Sequence, residues 1–261
     1  MIDYDIYKKN ILKNKNIIIA GATSGIGRSS ARRIAKLGGN IILIGRDINK
    51  LENFFKTIKS NKTQNNSFYN CDLSDFNATY KTFVQINKDY ENIHSLIWSA
   101  GSEMIKLSRL IDDSDVKNVF NVISNGIMGA CKAFCNKKFW SDSGGSVVFL
   151  SSVSSIRSTE GMLLYSAAKS SLSGITKSLA LELSKYNVRV NNVILGAIKT
   201  EMHDRITKFL SNESKESYEK KHLFGFGELD DVNSLLVYLV SDVSRWMTGS
   251  EVLLDGGLLS K

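Results

Sequence analysis

The chain has 261 residues, 43% hydrophobic and 23% charged, with a formal net charge of +8. That balance is near the globular average and excludes a disordered chain, and no apolar run approaches the about 18 residues of a membrane span. The lysines and arginines are scattered, with no basic stripe and no interleaved aromatics, which argues against nucleic acid as a partner.

Residues 1–10 lack the basic-then-apolar layout of a signal peptide and read as a short N-terminal arm, with 11–261 as a single domain. Short runs rich in β-branched residues follow at 17–20, 41–44, 67–71, 95–99, 146–150, 188–195 and 252–254; their length and apolarity suit fully buried strands. Between them, 28–37, 50–60, 75–88, 115–137, 165–185 and 230–241 carry a helical period. Strand alternating with helix predicts an α/β fold, a single doubly wound parallel sheet with helices on both faces.

Behind the first strand stands Gly21-Ala-Thr-Ser-Gly25-Ile-Gly27. Glycines there let the backbone approach a pyrophosphate, and the next helix offers it unpaired N–H groups. Gly21, Thr23, Ser24, Gly25, Ile26 and Gly27 are therefore candidate dinucleotide-binding residues. The spacing is GxxxGxG, so its weight comes from its place after the first strand. Where the second strand ends, an acidic residue would accept from a ribose 2′-hydroxyl; this chain has Gly45 and then Arg46. A guanidinium there suits a 2′-phosphate, so NADP(H) is favoured over NAD(H), with Asp47 read as the N-cap of the next helix.

Cys71, Cys131 and Cys135 are odd in number and fit no metal-ligand spacing, so the expectation is three reduced thiols in a cytoplasmic protein and no metal site. Further on, Tyr165 and Lys169 share a helix face, thirteen residues after Ser152 at a strand end. An ammonium beside a phenol would lower its pKa and make it a usable acid or base near neutrality, while a serine hydroxyl could hold a carbonyl oxygen.

Together these motifs resemble the short-chain dehydrogenase/reductase family, over nearly the whole chain. Cys71-Asp72-Leu73 matches the family's adenine contact, Ser99-Ala100-Gly101 the turn after its fourth strand, and Gly196-Ala-Ile-Lys-Thr200 the segment beside the nicotinamide. Thr248-Gly249 through Asp255-Gly256-Gly257 matches the C-terminal strand. The resemblance implies a cofactor site that also includes Asp72, Leu73, Ala100, Gly101, Ile198 and Thr200. It further implies Tyr165 as proton donor, Lys169 as ribose ligand and pKa modulator, and Ser152 as carbonyl anchor. The expected activity is NADPH-dependent reduction of a ketone to a secondary alcohol, like that of 3-oxoacyl-(acyl-carrier-protein) reductases, on a small-molecule or carrier-linked carbonyl. Rival readings are an oxidoreductase of sugars or nucleotide-linked sugars anchored by Arg157, and a dinucleotide-binding regulator without turnover. A homotetramer or dimer built partly through 115–137 and 165–185 is also implied.

Three positions depart from the family pattern. Trp98-Ser99 replaces Asn-Asn, and Leu195 replaces the proline before Gly196 in a chain that has no proline anywhere. Ile123 stands where the family has a catalytic asparagine that links the lysine to solvent through a water. Asn121 and Asn125 lie about 200° round a regular helix from it, so neither substitutes unless the helix is bulged. Substrate selection is expected in 153–164 and 201–224, which hold Arg157, Glu160, Met162, His203 and Arg205. His203 reads as a loop residue.

Overall fold

The computed structural model describes residues 7–59, 63–208 and 211–260. Seven strands, β1 (Asn16–Ala20), β2 (Asn40–Gly45), β3 (Ser67–Asn70), β4 (Ser95–Trp98), β5 (Gly145–Ser152), β6 (Val188–Leu195) and β7 (Glu251–Leu254), form one sheet in the order β3-β2-β1-β4-β5-β6-β7. Every pairing is parallel. The order reverses between β1 and β4, and the strand ends open a crevice there.

Alternation along the strands explains why they read as continuous apolar runs. In β1, Ile18 and Ala20 face one layer while Ile17 and Ile19 face the other, and all four are fully buried. The first layer is α3 (Phe76–Asp89), α4 (Asp113–Phe120), α5 (Gly126–Phe134) and α6 (Leu163–Ser184); the second is α1 (Gly25–Lys36), α2 (Ile48–Lys56) and α9 (Leu229–Val240). Two short helices, α7 (Glu201–Thr207) and α8 (Asn212–Glu219), stand between β6 and α9. Leu181 on α6 and Trp246 before β7 are 80% and 92% exposed. Residues 1–6 of the expected arm lie outside the described residues; the Tyr7 hydroxyl donates to the Ser234 carbonyl at 2.9 Å, and Leu12 is buried with its N–H donating to the Leu37 carbonyl at 3.2 Å. Among the described residues no helix is long and apolar enough to cross a membrane.

The helix expected over 115–137 is not continuous. A π-helical turn, Asn121–Asn125, separates α4 from α5, so the bulge that would reopen the question of Ile123 is present. Such a turn inserts a residue into the helical ladder and shifts which side chains face outward. Ile123 points into the core, 1% exposed among Val119, Ile127 and Ala168, while Asn121 and Val122 line the crevice.

Candidate active site

At the β1 end the backbone doubles back at Gly21, whose φ of +88° a side chain would strain. A Cβ on Gly21 would lie 2.6 Å from the Ala100 nitrogen. One on Gly27 would collide with the Gly21 carbonyl oxygen and Ser99 Oγ. Ser99 takes its place in this packing by donating to the carbonyls of Ala20 and Gly21, at 2.8 and 3.2 Å. Its neighbour Trp98 buries its ring against Phe83 and leaves its indole Nε1 without a partner among the described residues. The result is a glycine cradle closed from behind and open towards the crevice, which fits the pyrophosphate of a dinucleotide at the N-terminus of α1.

The crevice has a volume of about 2120 Å³ and runs from this cradle to α7 and α8. Arg32, Arg46 and Lys50 line it, and Arg28 lines it in the first turn of α1. The Arg32 guanidinium lies 5.2 Å from the centre of the Phe54 ring. Asp47 caps α2, accepting from the Lys50 backbone N–H at 3.0 Å, which uses the carboxylate locally as the sequence suggested. Asp72 accepts from the backbone and hydroxyl of Ser74; these bonds hold its carboxyl below the usual carboxylate range, with the Arg46 charge adding to the effect.

Ser152 ends β5 and Tyr165 sits in the first turn of α6, with Lys169 one turn further. Ser152 Oγ accepts from the Ser154 N–H at 3.2 Å, which fixes the hydroxyl at the strand end. Lys169 Nζ donates to the Leu150 carbonyl at 2.7 Å and lies 5.7 Å from the centre of the Tyr165 ring. The electrostatics correct the expectation of a phenol acidified by its lysine. Burial pushes Tyr165 up to about 12, against a smaller lowering by the hydrogen bond with Ser152, and Glu103 and Tyr218 raise it further. Burial alone brings Lys169 down to about 8.

All residues expected at the site line this one crevice: Gly21, Thr23, Ser24, Gly25, Ile26, Gly27, Arg46, Asp72, Leu73, Ala100, Gly101, Ser152, Tyr165, Lys169, Ile198 and Thr200. Arg157, Met162, His203 and Arg205 line it too, whereas Glu160 is exposed outside. His203 is not in a loop: it lies in α7, where Thr200 caps the helix by accepting from its N–H at 3.2 Å, and its ring packs on Phe226 at 4.5 Å. Sequence reasoning missed Glu103, Glu201 and Tyr218, which also line the crevice, as does Asn121, which it had set aside unless the helix bulged. Glu103 receives Arg205 Nε at 2.9 Å, and Glu201 accepts from the Gly25 N–H at 3.0 Å and pairs with Arg28.

A parallel sheet in this strand order, with a glycine cradle at its reversal point, defines a dinucleotide-binding α/β protein. Comparison with known proteins narrows this. A family model described as Enoyl-(Acyl carrier protein) reductase matches residues 21–259. Carbonyl reductase family member 4 of Danio rerio is 31% identical over 92% of this chain and 96% of its own. The 3-oxoacyl-[acyl-carrier-protein] reductase FabG of Rickettsia conorii is 30% identical over 95% of this chain and 98% of its own. A blue fluorescent protein from a metagenomic library, solved in complex with NADPH, shares the fold with a TM-score of 0.85 at 23% identity, covering 96% of this chain and 99% of that one. The chain belongs to the short-chain dehydrogenase/reductase family, NAD(P)-dependent oxidoreductases that act between CH–OH and C=O.

Proposed function

We propose that the protein reduces a ketone to a secondary alcohol with NADPH, on a 3-oxoacyl or related carbonyl substrate presented free or on a carrier. The observation that carries this reading is the convergence of Ser152, Tyr165 and Lys169 on the same crevice as the glycine cradle. Bound NADPH would supply the hydride, held by the cradle at its pyrophosphate and by Arg46 at its 2′-phosphate, with Asp72 and Leu73 at the adenine. Ser152 would orient the carbonyl oxygen. Tyr165, with its phenol held near 12, keeps its proton at neutral pH and is poised to donate it to that oxygen as the alcohol forms. Lys169 would anchor the nicotinamide ribose beside it.

The relatives support a carbonyl as the acceptor, since both full-length matches are named for carbonyl or oxoacyl reduction, although the family model's description names an enoyl reductase. Arg46, with Arg32 and Lys50 lining the same crevice, supports the 2′-phosphate. A cytoplasmic location fits the free thiols of Cys71, Cys131 and Cys135, and a homo-oligomer fits the exposed Leu181 on α6.

The test is NADPH consumption against a panel of ketones, 3-oxoacyl thioesters and enoyl thioesters. Turnover of the 3-oxo compounds and not the enoyl ones is expected. Arg46→Glu should shift preference towards NADH by about tenfold or more, the scale of one phosphate–guanidinium contact. NADPH binding without turnover of any carbonyl would instead identify a dinucleotide-binding regulator, and an unchanged NADPH preference would overturn the role given to Arg46.

A further inference from the structure

The first free N–H of α1 already has an anionic ligand, and it comes from the chain itself. Gly25 donates to Glu201 Oε2 at 3.0 Å, and the other carboxylate oxygen of Glu201 pairs with Arg28 NH2. Ser24, the N-cap, makes no side-chain capping bond, so the Gly25–Glu201 bond is the side-chain contact made to this helix end. Glu201 is the first residue of α7, 176 positions along the chain from Gly25. The same short helix is tied a turn later to the other wall of the crevice: Arg205 reaches Glu103, with Nε and NH2 at 2.9 and 2.8 Å from Oε1. Helix α7 thus lies across the crevice as a strap, pinned at the phosphate loop by Glu201 and beside Tyr165 by Arg205.

We propose that Glu201 is a built-in competitor for the pyrophosphate of the dinucleotide, so that cofactor entry exchanges one anion for another at the N-terminus of α1 and releases one end of the α7 strap. The inference rests on the dinucleotide reading of the crevice. Its physical basis is that one backbone N–H and one guanidinium cannot fully serve a carboxylate and a diphosphate at once. A helix N-terminus stabilises either anion, and the more highly charged one displaces the other. Coupling follows because α7 also carries Met202, His203, Arg205 and Ile206, which line the substrate end. What binds at the cradle therefore biases the position of the substrate wall, and by linkage the reverse holds as well.

The experiment compares the wild-type protein with Glu201→Gln and Glu201→Ala, titrating NADPH by its fluorescence and following hydrogen exchange of the α7 backbone with and without NADPH. Removing the competitor should tighten NADPH binding by about three- to tenfold, the scale of a solvent-exposed ion pair plus one charge-assisted hydrogen bond. Residues 201–207 of the free variants should exchange faster than in the free wild type. That difference should vanish once NADPH is bound, because the contact is then absent in all three proteins. Unchanged or weaker NADPH binding in both variants, or identical α7 exchange in the free proteins, would overturn the proposal. If the wild type bound neither NADPH nor NADH, the dinucleotide reading itself would fall, which is a separate result.

Discussion

At the dinucleotide end of the crevice the backbone is packed against backbone, whereas the substrate end is closed by side chains on two short helices. Around Gly21, Gly27 and Ser99 there is no room for one additional carbon, and the geometry is set by strand ends within the sheet. At α7 and α8 the walls are ion pairs such as Glu103–Arg205 and an aromatic group in which Tyr218 and His203 stack beside Phe226. The Arg205 side chain is 60% exposed and Glu103 21%, so this pairing is shared with solvent. On the proposed reading, the contrast teaches that a constant cofactor would be bound by the fold itself, while substrate choice would be left to contacts that can change without disturbing the sheet.

Substitutions at each end should break this comparison or sharpen it. The largest effect belongs to the point where the two ends meet. Tyr165→Phe should reduce kcat by about 10²- to 10⁴-fold while NADPH titration stays within about twofold of wild type. Loss of NADPH binding in the same variant would show that the phenol is structural. Gly27→Ala should destabilise the protein by about 1–3 kcal/mol and weaken NADPH binding, as read by thermal unfolding and titration, because neither the Gly21 carbonyl nor Ser99 can move out of the way without shifting β1 or β4.

Lys169 makes a prediction about pH. Its pKa in the folded protein is about 8 against 10.5 for an unburied lysine. Between those values the unfolded chain holds a proton that the native protein has released, so stability from this group rises as pH increases from about 8. Above about pH 10 the raised pKa of Tyr165 begins to act in the opposite direction. Denaturant unfolding should therefore show a gain on the order of 2 kcal/mol between pH 8 and 10 in the wild type relative to Lys169→Met, in which that component is absent. Parallel pH profiles for the two proteins would show that the lysine is not desolvated. The smallest effect is expected at the far end: Arg205→Gln should change KM for the carbonyl substrate by about two- to fivefold and leave unfolding almost untouched, as for an exposed ion pair.

The same contrast explains what could be read from the sequence. The strands were legible to within a residue or two: in the five inner strands burial on both faces leaves an apolar run, as in Ile17-Ile-Ile-Ala20, whereas the edge strands β3 and β7 are partly exposed and not fully buried as their composition suggested. That Ser152, Tyr165, Lys169 and the glycine loop would come together at one crevice was legible because they sit at fixed distances from the inner strands. The helix from 115 to 137 was misread as continuous because one inserted residue hardly alters an apolar period. The π turn at Asn121–Asn125 brings Asn121 into the crevice and buries Ile123. Glu201 and Glu103 left no trace at all. Their partners are 173 and 102 residues away, and a pair of opposite charges at such separation has no periodicity to betray it. The acidity of Tyr165 was misjudged for a related reason, since spacing shows which charges are near a group and not how much water has been removed from it.

The three tryptophans have an optical consequence. Trp246 is almost fully exposed, Trp140 donates its indole N–H to the Phe134 carbonyl, and Trp98 is sealed in the core without a partner for its own among the described residues. Only Trp98 adjoins the crevice wall, since Ser99 follows it directly. A buried indole emits at shorter wavelength than an exposed one, so emission from Trp98 would overlap the absorption of a reduced nicotinamide, while Trp246 would be open to collisional quenchers in solvent. Masking the surface indole with iodide would leave a signal dominated by the buried residues, and energy transfer from Trp98 would then report occupancy of the cradle without any added label.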